Sequence, residues 1–426
     1  MQLFQYNPAR MRILLMTYGT RGDVEPFLAL AEGFVKAGHA ARLAAPELFA
    51  PLAAGTGVEY IPLPGDPAEL GTAMVRCAGT NPLRMISVMA RFVFPLAADV
   101  FGRVRESAPG ADAVVHSFLF THAGYEIARS LRVPDYSAQM FPMFAPTSAF
   151  AAPGFPDRAL PGIFRRMTHT LFNNIFRHGG GMLYGFIRRR RPDFPPLTGW
   201  PFSSAQERIT PLLFGFSRHA VPRPADWPAH AHITGYWQRE PPREEDIPAE
   251  VRRFLDSGPA PVFIGFGSAV PRDNEKLAAI AADALRRTGR RGILAIGGSA
   301  RPAEPDLRNI LRVESVPHLW LFPKTSAVVH HGGAGTTGAG LRAGVPNILV
   351  PFTSDQPFWA GRIRALGAGP EPILLRKLTA GRLAAAIDRA LHDEPMRERC
   401  RGLGERIGAE DGTARAVEWV IRDASW

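Results

Sequence analysis

Twice along this chain an apolar strand pattern runs into a glycine-bearing turn and then into a helical pattern, and that repeated unit leaves few folds open. The first copy is Ile13 to Met16, the loop Thr17-Tyr18-Gly19-Thr20-Arg21-Gly22-Asp23, a helical pattern from Pro26 to Ala37 ended by Gly38-His39, and a strand from Ala40 to Ala44. Further strand patterns cover Ala113 to Val115 and Val133 to Gln139, with a helical pattern between them. The second copy is Val262 to Ile264, the turn Gly265-Phe266-Gly267-Ser268, a helix from Asn274 to Arg286, and strands at 292–296, 327–329 and 347–350. Pro222, Pro224, Pro228, Pro241, Pro242 and Pro248 separate the copies, as an interdomain linker would. Strand–helix alternation predicts an α/β protein with two Rossmann-like domains, each a parallel sheet covered on both faces. Ligands are then expected at the carboxyl ends of the strands, in the cleft between the domains. The expected division is 1–225 for an acceptor-binding domain, 226–250 for the linker, and 251–405 for a donor-binding domain. Residues 406–426 read as a helix returning to the amino-terminal domain.

The length of 426 residues suits two domains of about 200 residues each, and 46% hydrophobic against 21% charged residues supplies two cores. Cys77 and Cys400 stand in no C-x-x-C pair, so neither a disulfide framework nor a zinc site is expected. No stretch reaches the roughly 18 apolar residues of a membrane span, and residues 1–10 lack signal-peptide character, so a cytoplasmic setting is expected. The formal charge of +11 suits anionic partners. It is concentrated in the segment 158–194, where Arg165, Arg166, Arg177 and Arg188 to Arg191 interleave with Phe164, Leu171, Phe172, Ile175, Phe176, Leu183, Phe186 and Ile187. Basic amphipathic helices of this kind suit the anionic inner face of a membrane. The alternative is a solvated basic helix whose apolar face packs on its own domain. Net charge alone is insufficient for a nucleic-acid partner, and none is expected.

The segment from Val328 to Gly338 reads strand, His330-His331, Gly332-Gly333, and a helix starting near Gly335. The unpaired amides and positive dipole of a helix start suit a phosphate, and a histidine just before the glycines can add a hydrogen bond. Gly333, Gly335 and Gly338 also spell G-x-G-x-x-G, with Asp355 beyond the next strand, which leaves a nucleotide-dependent oxidoreductase as a reading of another class.

These residues resemble a known family. The span from Val262 to Pro372 is similar to the donor domain of family 1 GT-B glycosyltransferases, closest in motif to sterol glucosyltransferases and bacterial lipid and natural-product glycosyltransferases. The resemblance rests on Phe263-Ile264-Gly265-Phe266-Gly267-Ser268, Val316-Pro317-His318, Trp320-Leu321-Phe322-Pro323, the double-histidine segment, Ala343-Gly344-Val345-Pro346 and Asp355-Gln356-Pro357-Phe358-Trp359. The stretch from Gly19 to Pro26 matches the amino-terminal domain of the same group. The resemblance implies that His331, with Gly333, Gly335 and Thr336 beside it, contacts the donor diphosphate. Gly267 and Ser268 do so from the facing turn, and Gly22 and Arg21 lie across the cleft. Asp355 and Gln356 would bind sugar hydroxyls, and the loop 313–316, through Val316, would hold the base. Plant members carry other residues at Val313, Val316 and Ala339, which leaves uridine and thymidine donors both open.

The family assigns the catalytic base to Asp23, whose competing reading is a helix N-cap. The implied reaction is an inverting transfer of a hexose, foremost glucose from UDP-glucose, with a dTDP-deoxysugar as the alternative donor. No D-x-D motif occurs in the sequence, and no metal or other cofactor is expected. The aromatic-dense segment from Phe141 to Pro201 suits a lipophilic alcohol such as a sterol, triterpenoid or polyketide aglycone. Candidate acceptor contacts are His116, Ser117, His122, Phe141 and Phe144.

Overall fold

The computed structural model describes residues 10–67, 69, 96–155, 160–267, 274–296 and 309–424. Strands β1 (Arg12–Met16), β2 (Ala40–Pro46), β3 (Glu59–Leu63), β4 (Ala113–His116), β5 (Asp135–Gln139), β6 (Leu212–Phe214) and β7 (Ala231–Ile233) form one sheet in the order β3-β2-β1-β4-β5-β6-β7. Strands β8 (Val262–Gly265), β9 (Gly292–Ala295), β10 (Ile310–Arg312), β11 (Ala327–His330) and β12 (Asn347–Leu349) form the other, in the order β10-β9-β8-β11-β12. All ten strand pairings are parallel. Strand β7 falls inside the stretch expected to be a linker. At three residues, with His232 at its centre, it is too short to show a period.

Helices α1 (Arg21–Lys36), α2 (Thr121–Leu131) and α3 (Gly162–Arg190) accompany the first sheet, and α4 (Ala249–Asp256) follows the connection. The second sheet carries α5 (Asn274–Thr288), α6 (His318–Leu321), α7 (Ala334–Arg342), α8 (Gln356–Leu366), α9 (Ala380–His392) and α10 (Glu394–Gly408), and the last helix is α11 (Gly412–Ala424). Because side chains alternate along a strand, each sheet feeds two cores. Ile13 and Leu15 of β1 pack with Phe27 and Phe34 of α1 and Val417 and Val420 of α11. Leu14 and Met16 face the other way, onto Ala123 and Ile127 of α2 and Tyr184 and Ile187 of α3. Ile264 and Val329 meet α5 and α9, whereas Phe263 and Val328 meet α4 and α6. A further apolar cluster crosses between the halves, joining Phe214, Phe216 and Trp227 to Trp359, Ile363 and Cys400. Among the described residues, no helix is long and apolar enough to cross a membrane.

The docking of α11 on α1 depends on a missing side chain. A Cβ on Gly33 would lie 2.6 Å from Thr413 Cγ2 and 3.0 Å from Val417 Cγ2. Alanine in a helix interior gains about 1 kcal/mol over glycine, but overpacking costs about 1–3 kcal/mol. Gly33→Ala is therefore expected to lower the midpoint of urea unfolding, and adding Thr413→Ala should recover most of the loss. A Gly33→Ala protein that is more stable than the parent would show that the two helices are not held this closely.

Candidate active site

Both sheets place a loop where the strand order reverses direction, the position at which parallel sheets open a crevice at their carboxyl ends. In the first sheet the reversal lies between β1 and β4, and the loop after β1 carries Arg21, Gly22 and Asp23. In the second it lies between β8 and β11, whose ends carry Gly267 and His331. Ser268 lies outside the described residues.

Asp23 occupies the third position of α1, and its Oδ2 accepts hydrogen bonds from the Thr20 backbone N–H at 2.8 Å and the Thr20 hydroxyl at 3.1 Å. This closes a capping box in which Thr20, not Asp23, is the N-cap, and Asp23 is the acid at the third helical position that reaches back to it. The box engages one carboxylate oxygen only; among the described residues Oδ1 accepts no hydrogen bond. Gly19 is required for this arrangement, because a Cβ there would lie 2.3 Å from Asp23 Oδ2. Burial raises the Asp23 carboxyl above the ordinary aspartate value, and the two Thr20 bonds oppose the shift.

His330 and His331 divide their work. His330 is fully buried, and its Nδ1 accepts the Gly332 N–H at 3.1 Å, so the proton resides on Nε2, which donates to Asn347 Oδ1 at 3.1 Å. Asn347 in turn donates through Nδ2 to the Val345 carbonyl at 2.8 Å, which fixes its orientation. Among the described residues His331 has no such partners, and its Nδ1 is buried without a hydrogen bond. Burial lowers its pKa to about 4, leaving a neutral imidazole at pH 7. Two glycines leave space for the ring: a Cβ on Gly267 would come within 2.8 Å of His331 Cε1, and one on Gly333 within 2.7 Å of Nε2. Helix α7 begins at once, with Gly333 as an N-cap that offers no side chain. The first amides of α7, including those of Gly335 and Thr336, therefore have no side-chain cap, and the space above Gly335 is open.

Gly333→Ala isolates the placement of His331. The backbone at Gly333, φ −61° and ψ 145°, accepts any residue, so the substitution acts through its methyl group alone. We expect it to displace the imidazole and weaken UDP binding roughly tenfold or more by calorimetry, the worth of one charge-assisted hydrogen bond, with little change in Tm. Unaltered UDP affinity would separate His331 from the anion site.

Asp355 and Gln356 start α8 beside this turn: a Cβ on Gly332 would sit 3.2 Å from the Gln356 carbonyl oxygen. Gln356 Oε1 accepts the N–H groups of Phe352 at 2.7 Å and Thr353 at 3.1 Å, so its amide oxygen shapes the loop and its NH2 group is the part left to a ligand. Ser354 has φ +60°, a left-handed kink just before Asp355. Asp355 Oδ2 accepts from Trp359 Nε1 at 3.0 Å, tying it to the apolar cluster between the halves. Burial first, and then the negative charge of Asp23 from the facing half, raise Asp355 to about 7. The charge of Asp23 thus reaches Asp355 across the cleft.

Arg21 pairs with Glu25 at 2.8 Å, and its positive charge also reaches His318. Burial first, then His331 and Arg21, lower His318 to about 4. Its ring stacks on Phe322, with centroids 4.5 Å apart. His318 belongs to a matched motif but has no role assigned from the sequence, and the charge of Arg21, which reaches it from the other half, makes it a further candidate. The Val316 side chain is 6% exposed and sits in the core beneath the second sheet, which leaves only its backbone for a ligand.

The acceptor candidates are more dispersed. His116 Nε2 bonds Asp135 Oδ2 at 3.2 Å, and its ring lies where a Cβ on Gly124 of α2 would fall, which turns it into the sheet–helix interface. His122 Nε2 bonds the Arg177 carbonyl of α3 at 3.1 Å, and burial lowers its pKa. Phe144, at φ +62°, stacks on Phe202 at 4.8 Å, and Phe141 and Phe176 meet Phe118 at 5.9 Å. Much of the aromatic segment is therefore consumed in its own packing. At the carboxyl ends of β4 and β5, Ser117 Oγ and Gln139 Oε1 are buried without hydrogen-bond partners among the described residues. Gln139 gave no sequence signal, because it shares β5 with two other polar residues, Asp135 and Ser137, and nothing local singles it out.

Two family profiles match: the glycosyltransferase family 28 N-terminal domain over residues 13–101, and the erythromycin biosynthesis protein CIII-like C-terminal domain over 283–419. A sterol 3-beta-glucosyltransferase of Cryptococcus neoformans var. neoformans serotype D is 32% identical over 449 residues, covering 99% of this chain and 28% of the relative. That of Emericella nidulans is 32% identical over 440 residues, covering 100% and 31%. The chain thus spans under a third of the length of these relatives. Among solved structures, the kitacinnamycin glycotransferase aligns with a TM-score of 0.68 at 20% identity, covering 97% of this chain and 99% of that one. The calicheamicin glycosyltransferase CalG4 aligns at 0.66 and 20%, covering 96% and 97%. Two parallel-sheet domains meeting at their switch-point loops define the GT-B class. Within it, the chain belongs to the family 1 GT-B glycosyltransferases.

Proposed function

We propose that the protein transfers a hexose, foremost glucose from UDP-glucose, to a hydroxyl of a lipophilic acceptor with inversion, using Asp23 as general base. The observation that carries this reading is the opposition of Asp23 on one half to Asp355 on the other, close enough for one charge to raise the other's pKa. Asp23 Oδ1 takes the acceptor hydroxyl proton as the acceptor oxygen bonds to the sugar C1. The C1–phosphate bond breaks on the opposite face, and its electron pair leaves on the nucleoside diphosphate. The α7 amides and His331 offer that anion preorganised donors, so the proposal is metal-free. Attack opposite the leaving group converts an α-linked donor to a β-glycoside. The lipophilic acceptor is supported by the rings of Phe118, Phe141 and Phe176, which stay partly exposed at the edge of the aromatic cluster, and by the sterol glucosyltransferase relatives. A dTDP-deoxysugar donor is the second reading, because the apolar Val316 leaves only backbone to select the base.

The test is a screen of UDP- and dTDP-sugars against sterols and polyketide aglycones, read by mass spectrometry. A β-glycoside is expected with a UDP-hexose. Absence of both transfer and nucleotide hydrolysis with every donor, together with tighter binding of a nicotinamide nucleotide than of UDP, would replace this reading with the oxidoreductase one.

A further inference from the structure

Helix α3 is 29 residues long, and its two faces differ in a way the glycosyl-transfer site does not explain. The inner face is packed: His169, Tyr184 and Ile187 are buried, and Phe172 and Phe176 join the aromatic cluster that holds Phe141 and Phe144. The outer face should be polar in a helix covering a soluble domain. Instead Ile163, Phe164, Met167, Leu171, Ile175 and Met182 are all more than half exposed, up to 73% at Met182. At 3.6 residues per turn these six fall on one stripe, which runs roughly 28 Å along the helix. Leu197, 42% exposed, extends the stripe sideways, since its Cδ2 would lie 3.6 Å from a Cβ on Gly181.

Charge decides what this stripe can meet. Helix α3 contains six arginines and no aspartate or glutamate. Arg177, Arg188, Arg189 and Arg190 are exposed and form no ion pair among the described residues. An apolar stripe bordered by unneutralised arginines matches an interface whose surface is anionic and whose interior is apolar. A second copy of the same face would match the apolar stripe but would set arginine against arginine.

We propose that the outer face of α3 lies on an anionic lipid surface, with Phe164, Met167, Leu171 and Ile175 entering the acyl boundary and the arginines holding lipid phosphates. The same helix then has lipid on one side and the aromatic cluster with Phe141 and Phe144 on the other. That would let a lipophilic alcohol reach the protein from the bilayer, a consequence that rests on the proposed function; the docking itself does not. The test is flotation of the full chain with phosphatidylcholine vesicles, with and without phosphatidylglycerol, at low and high salt. Binding is expected with the anionic vesicles at low salt. A roughly tenfold or greater loss is expected with neutral vesicles, with Arg177→Gln/Arg188→Gln/Arg189→Gln, or with Met167→Glu/Leu171→Glu/Ile175→Glu. Tm and UDP binding should be unchanged in both variants, because none of these side chains belongs to the site. Failure to float with anionic vesicles at low salt would overturn the proposal. So would equal flotation of the triple-glutamate variant, or a dimer in light scattering that this variant dissociates. Flotation is read without catalysis, so a chain that floats but transfers no sugar leaves this inference standing.

Discussion

Asp23→Asn is expected to slow glycosyl transfer by about 10²- to 10⁴-fold, the range of a general base, while UDP binding and Tm stay close to those of the parent. Asparagine is the informative replacement because its amide oxygen can still accept from the Thr20 N–H and hydroxyl, the bonds that close the capping box at 2.8 and 3.1 Å. Asp23→Ala removes the cap as well and should cost about 1 kcal/mol of stability in addition. The pH profile supplies a second readout. The base must be ionised, and burial holds its carboxyl above the ordinary value of 3.8, so kcat/KM should fall as pH drops through that raised value. That limb should vanish in the residual rate of the Asn variant. If Asp23→Asn lost UDP binding and stability together with transfer, the carboxylate would be a helix cap and nothing more.

The dual use of Asp23 shows where sequence reasoning reaches and where it stops. An acid three residues after a threonine at a strand–helix turn reads equally as cap and as base, and the fold makes it the first without excluding the second, because a carboxylate has two oxygens. The paired Rossmann sheets were legible because β1, β2, β8, β9 and β11 are apolar runs ending at glycine turns or helix starts. Strands β3, β6, β7 and β10 were not: β3 carries a proline within Glu59–Leu63, and the other three are three residues long with no period to read. His331 stood out by its position between a strand end and glycines. His318 did not, because what gives it meaning is the charge of Arg21, contributed by the other half of the chain. The hydrogen bond from His116 to Asp135 was equally hidden, being a contact between neighbouring strands that no local pattern encodes. By composition the aromatic segment suits the wall of an acceptor site. Composition cannot separate a wall from a core, and Phe144, Phe150 and Trp200 prove to be core.

Asp355→Asn is expected to make the protein more stable and less active, with both effects depending on pH. The folded-state pKa of Asp355, about 7, lies above its ordinary value of 3.8. For an acid whose pKa is raised by folding, the unfolded chain gives up its proton first. The stability contribution is therefore fully present below about pH 4 and is lost as pH rises through about 7. At pH 8 the ionised carboxylate, beside Asp23 and half-buried, should cost the free protein roughly 1–3 kcal/mol. An asparagine, which can still accept the Trp359 Nε1 hydrogen bond, escapes that cost. The Tm difference between variant and parent should thus be small near pH 4 and grow in the variant's favour toward pH 8. Sugar hydroxyls donating to the carboxylate would favour its ionised form, so binding an intact nucleotide sugar should release protons near pH 6–7 and UDP alone should not. Calorimetry in two buffers of different ionisation enthalpy reads this directly, and Asp355→Asn should abolish the release along with most of the preference for UDP-glucose over UDP. A variant no more stable at pH 8 than at pH 4, relative to the parent, would mean that the carboxylate is already compensated in the free protein. Its role would then be to brace Trp359 and the apolar cluster between the halves rather than to hold the sugar.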